Sequence, residues 1–292
     1  MKDHSRFISW CLATPWALLP ARITAYTAVL EALSRGETPA PQAAVSRGTN
    51  KSSRSGSIAV IPIYGTIVPR LGQLDMCEEG TSTQQISNML ADANADPSVS
   101  QILQVIDSPG GAVYGVPELA AEIANSKKPV TSFATSMAAS AAYWIGSAGN
   151  EFFMSPSAEV GSIGVWMAHQ DYSKAMKKSG VKTTLVSAGP FKVEANPYEP
   201  LSEEALAHLQ SRVNDYYNMF VRGVAQGRKV SVDTVLGGMG QGRCYGADQS
   251  RKENMVDDVL TLDQVVARMQ SKMKSAAPSR LARAQRELQI AG

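Results

Sequence analysis

Gln101-Ile102-Leu103-Gln104-Val105-Ile106-Asp107-Ser108-Pro109-Gly110-Gly111 is the stretch whose reading decides the fold. Its apolar run reads as a buried strand, and the Ser-Pro-Gly-Gly turn ends it. The same grammar repeats on both sides. Upstream, Ile58-Ala59-Val60-Ile61-Pro62-Ile63-Tyr64-Gly65 is a second buried strand closed by a turn, followed by a polar helix over residues 83–94. Downstream, a helix over 116–125 leads through Lys127-Lys128-Pro129 into a strand over 130–134, then a helix over 138–147. Residues 151–154 and 160–167 read as further short strands. Strand, crossover and helix in alternation argue an α/β domain built on a largely parallel sheet. A long helix over 202–226 presents Leu206, Leu209, Val213, Tyr216, Tyr217, Phe220 and Val224 on one apolar face, and another helix spans 260–269.

The flanks are different in character. Residues 22–35 have helical apolar spacing and end before Gly36, whereas the following stretch is Pro, Ser, Gly, Asn and basic residues without periodicity. The organisation expected is an N-terminal helical segment over 1–36, a flexible linker over 37–56, the main domain over 57–270 and a basic tail over 271–292. The apolar stretch 7–19 is interrupted by Pro15 and falls short of the ~20 residues of a spanning helix, so no transmembrane anchor is expected.

Composition narrows the function classes. Net charge is +2, which leaves no electrostatic footprint for nucleic acid. Three cysteines, far apart and without a CxxC, support neither a disulfide framework nor a zinc site, and fit a reducing, cytoplasmic setting. HExxH, phosphate-binding and dinucleotide motifs are absent from the sequence, so neither metal nor cofactor is expected.

Four segments could cooperate at the carboxyl edge of a parallel sheet, where sites gather. Gly110 and Gly111, directly after a strand, can turn their N–H groups outward to meet an oxyanion; they also read as an ordinary strand-to-helix turn. Ser140 lies in Ala138-Ala139-Ser140-Ala141-Ala142-Tyr143-Trp144, where its hydroxyl and the Ala141 N–H would sit at the start of a helix; a serine among alanines is also commonly structural. Ser162, in Gly161-Ser162-Ile163-Gly164-Val165, can orient an amine or be a simple turn residue. Lys192 follows Gly189-Pro190-Phe191 and can act as a general base if burial among apolar groups lowers its pKa from the ~10.4 of a free lysine; otherwise it is a solvated charge. Ser140 with Lys192 suggests a Ser–Lys peptidase. Among the three histidines, His4 and His208 read as mobile and surface positions, and His169 is the competing base.

Ile106-Asp107-Ser108-Pro109-Gly110-Gly111, Ala138-Ala139-Ser140-Ala141-Ala142-Tyr143-Trp144-Ile145 and Val160-Gly161-Ser162-Ile163-Gly164-Val165 combine with Gly189-Pro190-Phe191-Lys192-Val193-Glu194-Ala195-Asn196-Pro197 in a specific order and spacing. Together they resemble the signal peptide peptidase A family of Ser–Lys peptidases, including its phage head protein C branch, over roughly residues 57 to 268. The resemblance implies a Clp-protease-like or crotonase-like α/β spiral of repeated ββα units, often assembled into rings. It implies Ser140 as nucleophile, Lys192 as general base, Ser162 as the lysine-orienting residue, and Gly111 and Ala141 as oxyanion-hole donors. It also implies peptide substrates with small or apolar side chains beside the scissile bond, held extended along a strand edge.

Two departures stand out. Ser140-Ala141-Ala142-Tyr143 replaces the family's usual Ser-Gly-Gly-Tyr, which keeps both N–H groups. Gly189-Pro190-Phe191-Lys192 replaces Gly-Lys-Tyr-Lys, which keeps the base but removes a neighbouring charge. Thr14-Pro15-Trp16-Ala17-Leu18-Leu19-Pro20 looks like the start of phage or prophage members of the family. That segment, with no N-terminal span of the kind membrane-anchored relatives carry being expected, favours a capsid-maturation protease, a homo-oligomer acting within the prohead on portal or scaffold proteins. The rival readings are a bacterial peptidase that degrades signal peptides, a non-catalytic assembly protein with the same fold, and an acyl-CoA enzyme of crotonase type.

Overall fold

Two sheets organise the chain in the computed structural model, which describes residues 14–20, 52–70 and 80–273. The main sheet has the order β11 (Cys244–Tyr245), β10 (Glu159–Gly161), β8 (Val130–Ala139), β6 (Gln101–Ser108), β3 (Ile58–Tyr64) and β2 (Ser53–Ser55). β9 (Glu151–Met154) also pairs with β8 and carries β12 (Asp258–Val259) beside it. The second sheet runs β1 (Trp16–Leu18), β7 (Gly110–Ala112), β4 (Thr66–Val68) and β5 (Gly80–Ser82). Pairing among β3, β6, β8, β9 and β10 is parallel, as the buried apolar runs required.

The chain passes from one sheet to the other twice by the same device. β3 gives way to β4 at Gly65, and β6 gives way to β7 at Pro109. A helix follows each excursion, Thr83–Ala95 in the first case and Val116–Ala124 in the second. Ser82 caps the first of these helices, and Gln85 returns its side chain to the Ser82 N–H in a capping box. The repeat of strand, strand and helix fits the α/β spiral that the family resemblance implies.

The core lies between the sheets and the helices. Every residue of the short helix Ala141–Ser147 is buried, and Trp144 stacks on Phe220 of the long helix Glu203–Arg228, with ring centroids 4.7 Å apart and an interplanar angle of 6°. The end of that long helix is tied to β9 through Asp257. Its carboxylate accepts the Phe152 N–H at 2.6 Å and both Arg228 Nη groups, at 3.1 and 2.9 Å. Burial alone would raise the Asp257 pKa, but the Arg228 and Phe152 hydrogen bonds and the charges of Arg228 and Lys229 outweigh it and hold the carboxyl below its ordinary 3.8. A carboxylate depressed in this way stabilises the fold above its unfolded value and loses that contribution as pH falls through the folded one. Asp257→Asn is therefore expected to cost about 1–3 kcal/mol at neutral pH. The gap between variant and parent, read by urea denaturation, should close as pH drops below about 4.

Four boundaries differ from the sequence reading. Ser53–Ser55, assigned to the linker, pairs antiparallel with β3. Trp16–Leu18, within the segment expected to be helical, is a fully buried strand. Ala138-Ala139, expected to begin a helix, continue β8, because β10 pairs with both of them and β6 with Ala138. The strand expected over 160–167 ends at Gly161, where φ turns to 125°. The expected helix over 22–35, His4, Cys11, Cys77 and residues 274–292 of the tail lie outside the described residues.

Candidate active site

Ser140 stands where β8 ends and the helix Ala141–Ser147 begins, with φ 56° and ψ −118°. A residue with a Cβ adopts that conformation at a cost of about 1–3 kcal/mol and keeps it only where its surroundings over-determine it. Here they do. The Ser140 N–H donates to Gly161 O at 2.7 Å, its carbonyl accepts the Trp144 N–H at 3.0 Å, and its Cβ abuts Gly110. The residue is 1% exposed, and among the described residues its hydroxyl has no hydrogen-bond partner. A partnerless hydroxyl that keeps some solvent contact on a strained turn is poised for something outside the fold.

The Gly110-Gly111 pair presses against it. A Cβ on Gly110 would fall 2.9 Å from Ser140 Cβ and 2.2 Å from Ala17 O. A Cβ on Gly111 would fall 1.8 Å from Ile67 O, so neither position admits a side chain. Of the candidate oxyanion donors, the Gly110 N–H is already committed to Ser108 Oγ at 3.2 Å. Ser108 Oγ in turn donates to Gly65 O at 2.7 Å, which ties both inter-sheet crossings together. Sequence reasoning passed over Ser108 as a positioning residue, although it lies inside the quoted motif. Of the other two candidates, Gly111 lies in β7 opposite Ala17 of β1, and Ala141 opens the helix that follows Ser140.

Ser162 occupies the matching place on the neighbouring strand. Gly161 pairs with Ala139, so Ser162 is next to Ser140 in register, and it holds a nearly identical φ of 55°. Its N–H donates to Arg243 O at 2.8 Å. Cys244 pairs with Gly161 on the other side, and burial, with a smaller contribution from Glu159, pushes its thiol up to about 11. A thiol at that value is almost wholly protonated at neutral pH. Cys244 should thus resist alkylation by iodoacetamide at pH 7 in the folded protein and react readily in urea, as read by intact mass.

Lys192 is not gathered in with these residues. It is exposed on the 189–195 turn, its N–H donates to Gly189 O at 3.2 Å, and Phe191 beside it is 58% exposed. The partial burial expected from Pro190, Phe191 and Val193 is absent at the lysine itself, which is exposed together with Gly189, Pro190 and Phe191. His169 is also elsewhere: its Nε2 meets Asn196 O at 3.2 Å. His169 shares with His208, Glu194 and Arg212 the lining of a cavity of about 400 Å³, and neither Ser140 nor Ser162 lines it. The described residues thus assemble the two serines and the glycine edge, and leave both candidate bases apart from them. Among the described residues no group of acidic, histidine and cysteine side chains could hold a metal ion, and no helix is long and apolar enough to cross a membrane.

The family model for peptidase family S49 matches residues 122–276, a span that includes Ser140, Ser162 and Lys192. The chain belongs to peptidase family S49. It is 34% identical over 226 residues to capsid assembly protease C of Escherichia phage lambda, covering 77% of this chain and 51% of that protein. It is 31% identical over 220 residues to the head-tail preconnector protein GP5 of Enterobacteria phage P21, covering 75% and 44%. Protease 4 of Salmonella typhi is 30% identical over 216 residues, covering 73% of this chain and 34% of that protein. This S49 chain thus spans about half the length, or less, of these relatives.

Proposed function

We propose that this chain is a serine endopeptidase in which Ser140 is the nucleophile and Lys192 the general base. The observation that carries the reading is Ser140 itself, strained, buried and unbonded against the Gly110-Gly111 edge. The neutral Lys192 amine takes the hydroxyl proton as Ser140 Oγ attacks a peptide carbonyl, and the proton then passes to the leaving amine. Gly111 and Ala141 N–H groups receive the developing oxyanion. Ser162, beside Ser140 in register, receives a hydrogen bond from the lysine. The lysine must come inward and lose water to be neutral. An assembly of several copies would supply that cover, and Val181, Val186 and Phe191, exposed in the segment that leads to Lys192, are the apolar surface such an assembly would use.

The biological setting we infer is phage head maturation, with portal or scaffold proteins as substrates. This is supported by the similarity to capsid assembly protease C and to the preconnector protein. The test is mass spectrometry of portal and scaffold proteins after incubation with the wild type, Lys192→Ala and Lys192→Arg. Both variants should slow cleavage by at least about 10²-fold, the usual contribution of a general base, since arginine keeps the charge but does not give up a proton. Near-wild-type turnover by Lys192→Ala would transfer the role of base to His169. Cleavage of signal peptides with intact portal and scaffold would move the setting to a bacterial housekeeping enzyme.

A further inference from the structure

Residues 14–19 lie far in sequence from the rest of the second sheet, yet they form a strand pressed against the candidate nucleophile. Trp16, Ala17 and Leu18 are 2%, 0% and 1% exposed, and they pair antiparallel with Ala112, Gly111 and Gly110. Their other edge is gripped as well. Trp16 exchanges both backbone hydrogen bonds with Trp166, at 2.9 and 3.0 Å, and Trp166 Nε1 donates to Leu18 O at 2.9 Å. The segment is therefore held extended between two stretches of backbone, as a peptide bound by strand addition is held.

The register shows which group faces the site. Val113 N–H donates to Pro15 O at 3.1 Å, and Leu19 N–H donates to Pro109 O at 3.2 Å. Bonded pairs alternate along an antiparallel ladder, so Ala17 opposite Gly111 falls in the same phase as these two. The Gly111 N–H is thereby directed at the Ala17 carbonyl, although it is the donor assigned to the oxyanion. The Ala17 oxygen, the Ala139 oxygen and Ser140 Cβ crowd the same empty side of Gly110, at 2.2, 2.9 and 2.9 Å from where a Cβ would be. A small residue holds the position nearest the serine, with Trp16 before it and Leu18 after it.

We propose that residues 14–19 are a built-in occupant of the substrate cleft, with the Ala17 carbonyl in the place of a scissile carbonyl. This strand must leave before an external peptide can be cut. The proposal rests on the reading of Ser140 as nucleophile, and it makes the full chain a self-blocked enzyme. Lys192 lying away from Ser140 fits an occupant that is held without being cut.

The test weakens the strand without deleting it. Trp16→Ala with Leu18→Ala, in the full chain, should raise kcat/KM on a fluorogenic peptide with alanine before the cut by at least tenfold. The same pair placed in a Ser140→Ala chain should bind a labelled synthetic peptide of residues 13–20, followed by fluorescence anisotropy, while Ser140→Ala alone should not. A folded double variant that hydrolyses no faster and binds no peptide would make the strand a fixed part of the sheet and overturn the proposal. Peptide binding without Ser140-dependent hydrolysis in any chain would overturn the catalytic reading and leave the occupancy standing. If the double variant melts without cooperativity, hydrogen exchange of the wild type decides. Amides of residues 16–19 exchanging at least tenfold faster than those of β6 support a strand that leaves, and protection equal to β6 overturns it.

Discussion

Ser140→Ala is expected to lose at least about 10³-fold in peptide hydrolysis while keeping the melting temperature of the parent, since removal of a serine nucleophile is among the costliest single changes to such a site. Alanine keeps the Cβ that abuts Gly110 and the backbone bonds to Gly161 and Trp144, so the fold has no reason to respond. Ser140→Gly separates chemistry from strain. Glycine adopts φ 56° without penalty, so this variant should be as inactive as the alanine one and more stable by about 1 kcal/mol. In a chain of this size that is a rise of roughly 2–4 °C in melting temperature. An active Ser140→Ala would end the assignment of the nucleophile. A Ser140→Gly that melts below the parent would show that the turn holds no strain.

Gly111→Ala is expected to act on stability first. The added methyl would sit 1.8 Å from Ile67 O, against backbone in the parallel pairing of β4 with β7. Backbone of a buried strand has nowhere to retreat, so the pairing opens or β7 shifts. The expected cost is about 3 kcal/mol or more, at the upper end of overpacking effects. Differential scanning calorimetry should record a melting temperature lower by roughly 10 °C, and activity should fall even below that transition because the N–H proposed to receive the oxyanion would have moved. A Gly111→Ala chain as stable as the parent would mean that β7 and β4 are not in register at this residue.

Much of this fold was legible because it rests on local pattern. The apolar runs at 58–64 and 101–106, the polar helix that begins at Thr83 and the helix over 203–228 each state their own structure. The candidate residues of the site were legible for a related reason: small residues bracketing Ser140, and paired glycines after a strand, are demands of close backbone approach. Their packing was not. Alanine favours helix, yet Ala138 and Ala139 are strand because β10 pairs with both and β6 with Ala138, and that displacement puts Ser140 on the turn and not inside the helix. Ser108, a turn serine by sequence, became a clamp on the Gly110 N–H only once Gly65 came within reach.

The sequence by itself determined the alternation of strand and helix, the glycine edge, and which serines and lysine stand as candidates, because hydrophobic period and backbone sterics are written residue by residue. Tertiary structure alone decided three things: that Ser140 and Ser162 lie side by side, that Lys192 faces solvent, and that Trp16-Ala17-Leu18 fills the edge beside the serine. Each depends on which backbone edge a distant segment reaches. A strand edge offers the same N–H and C=O groups to any extended chain, so no local pattern could have named its occupant.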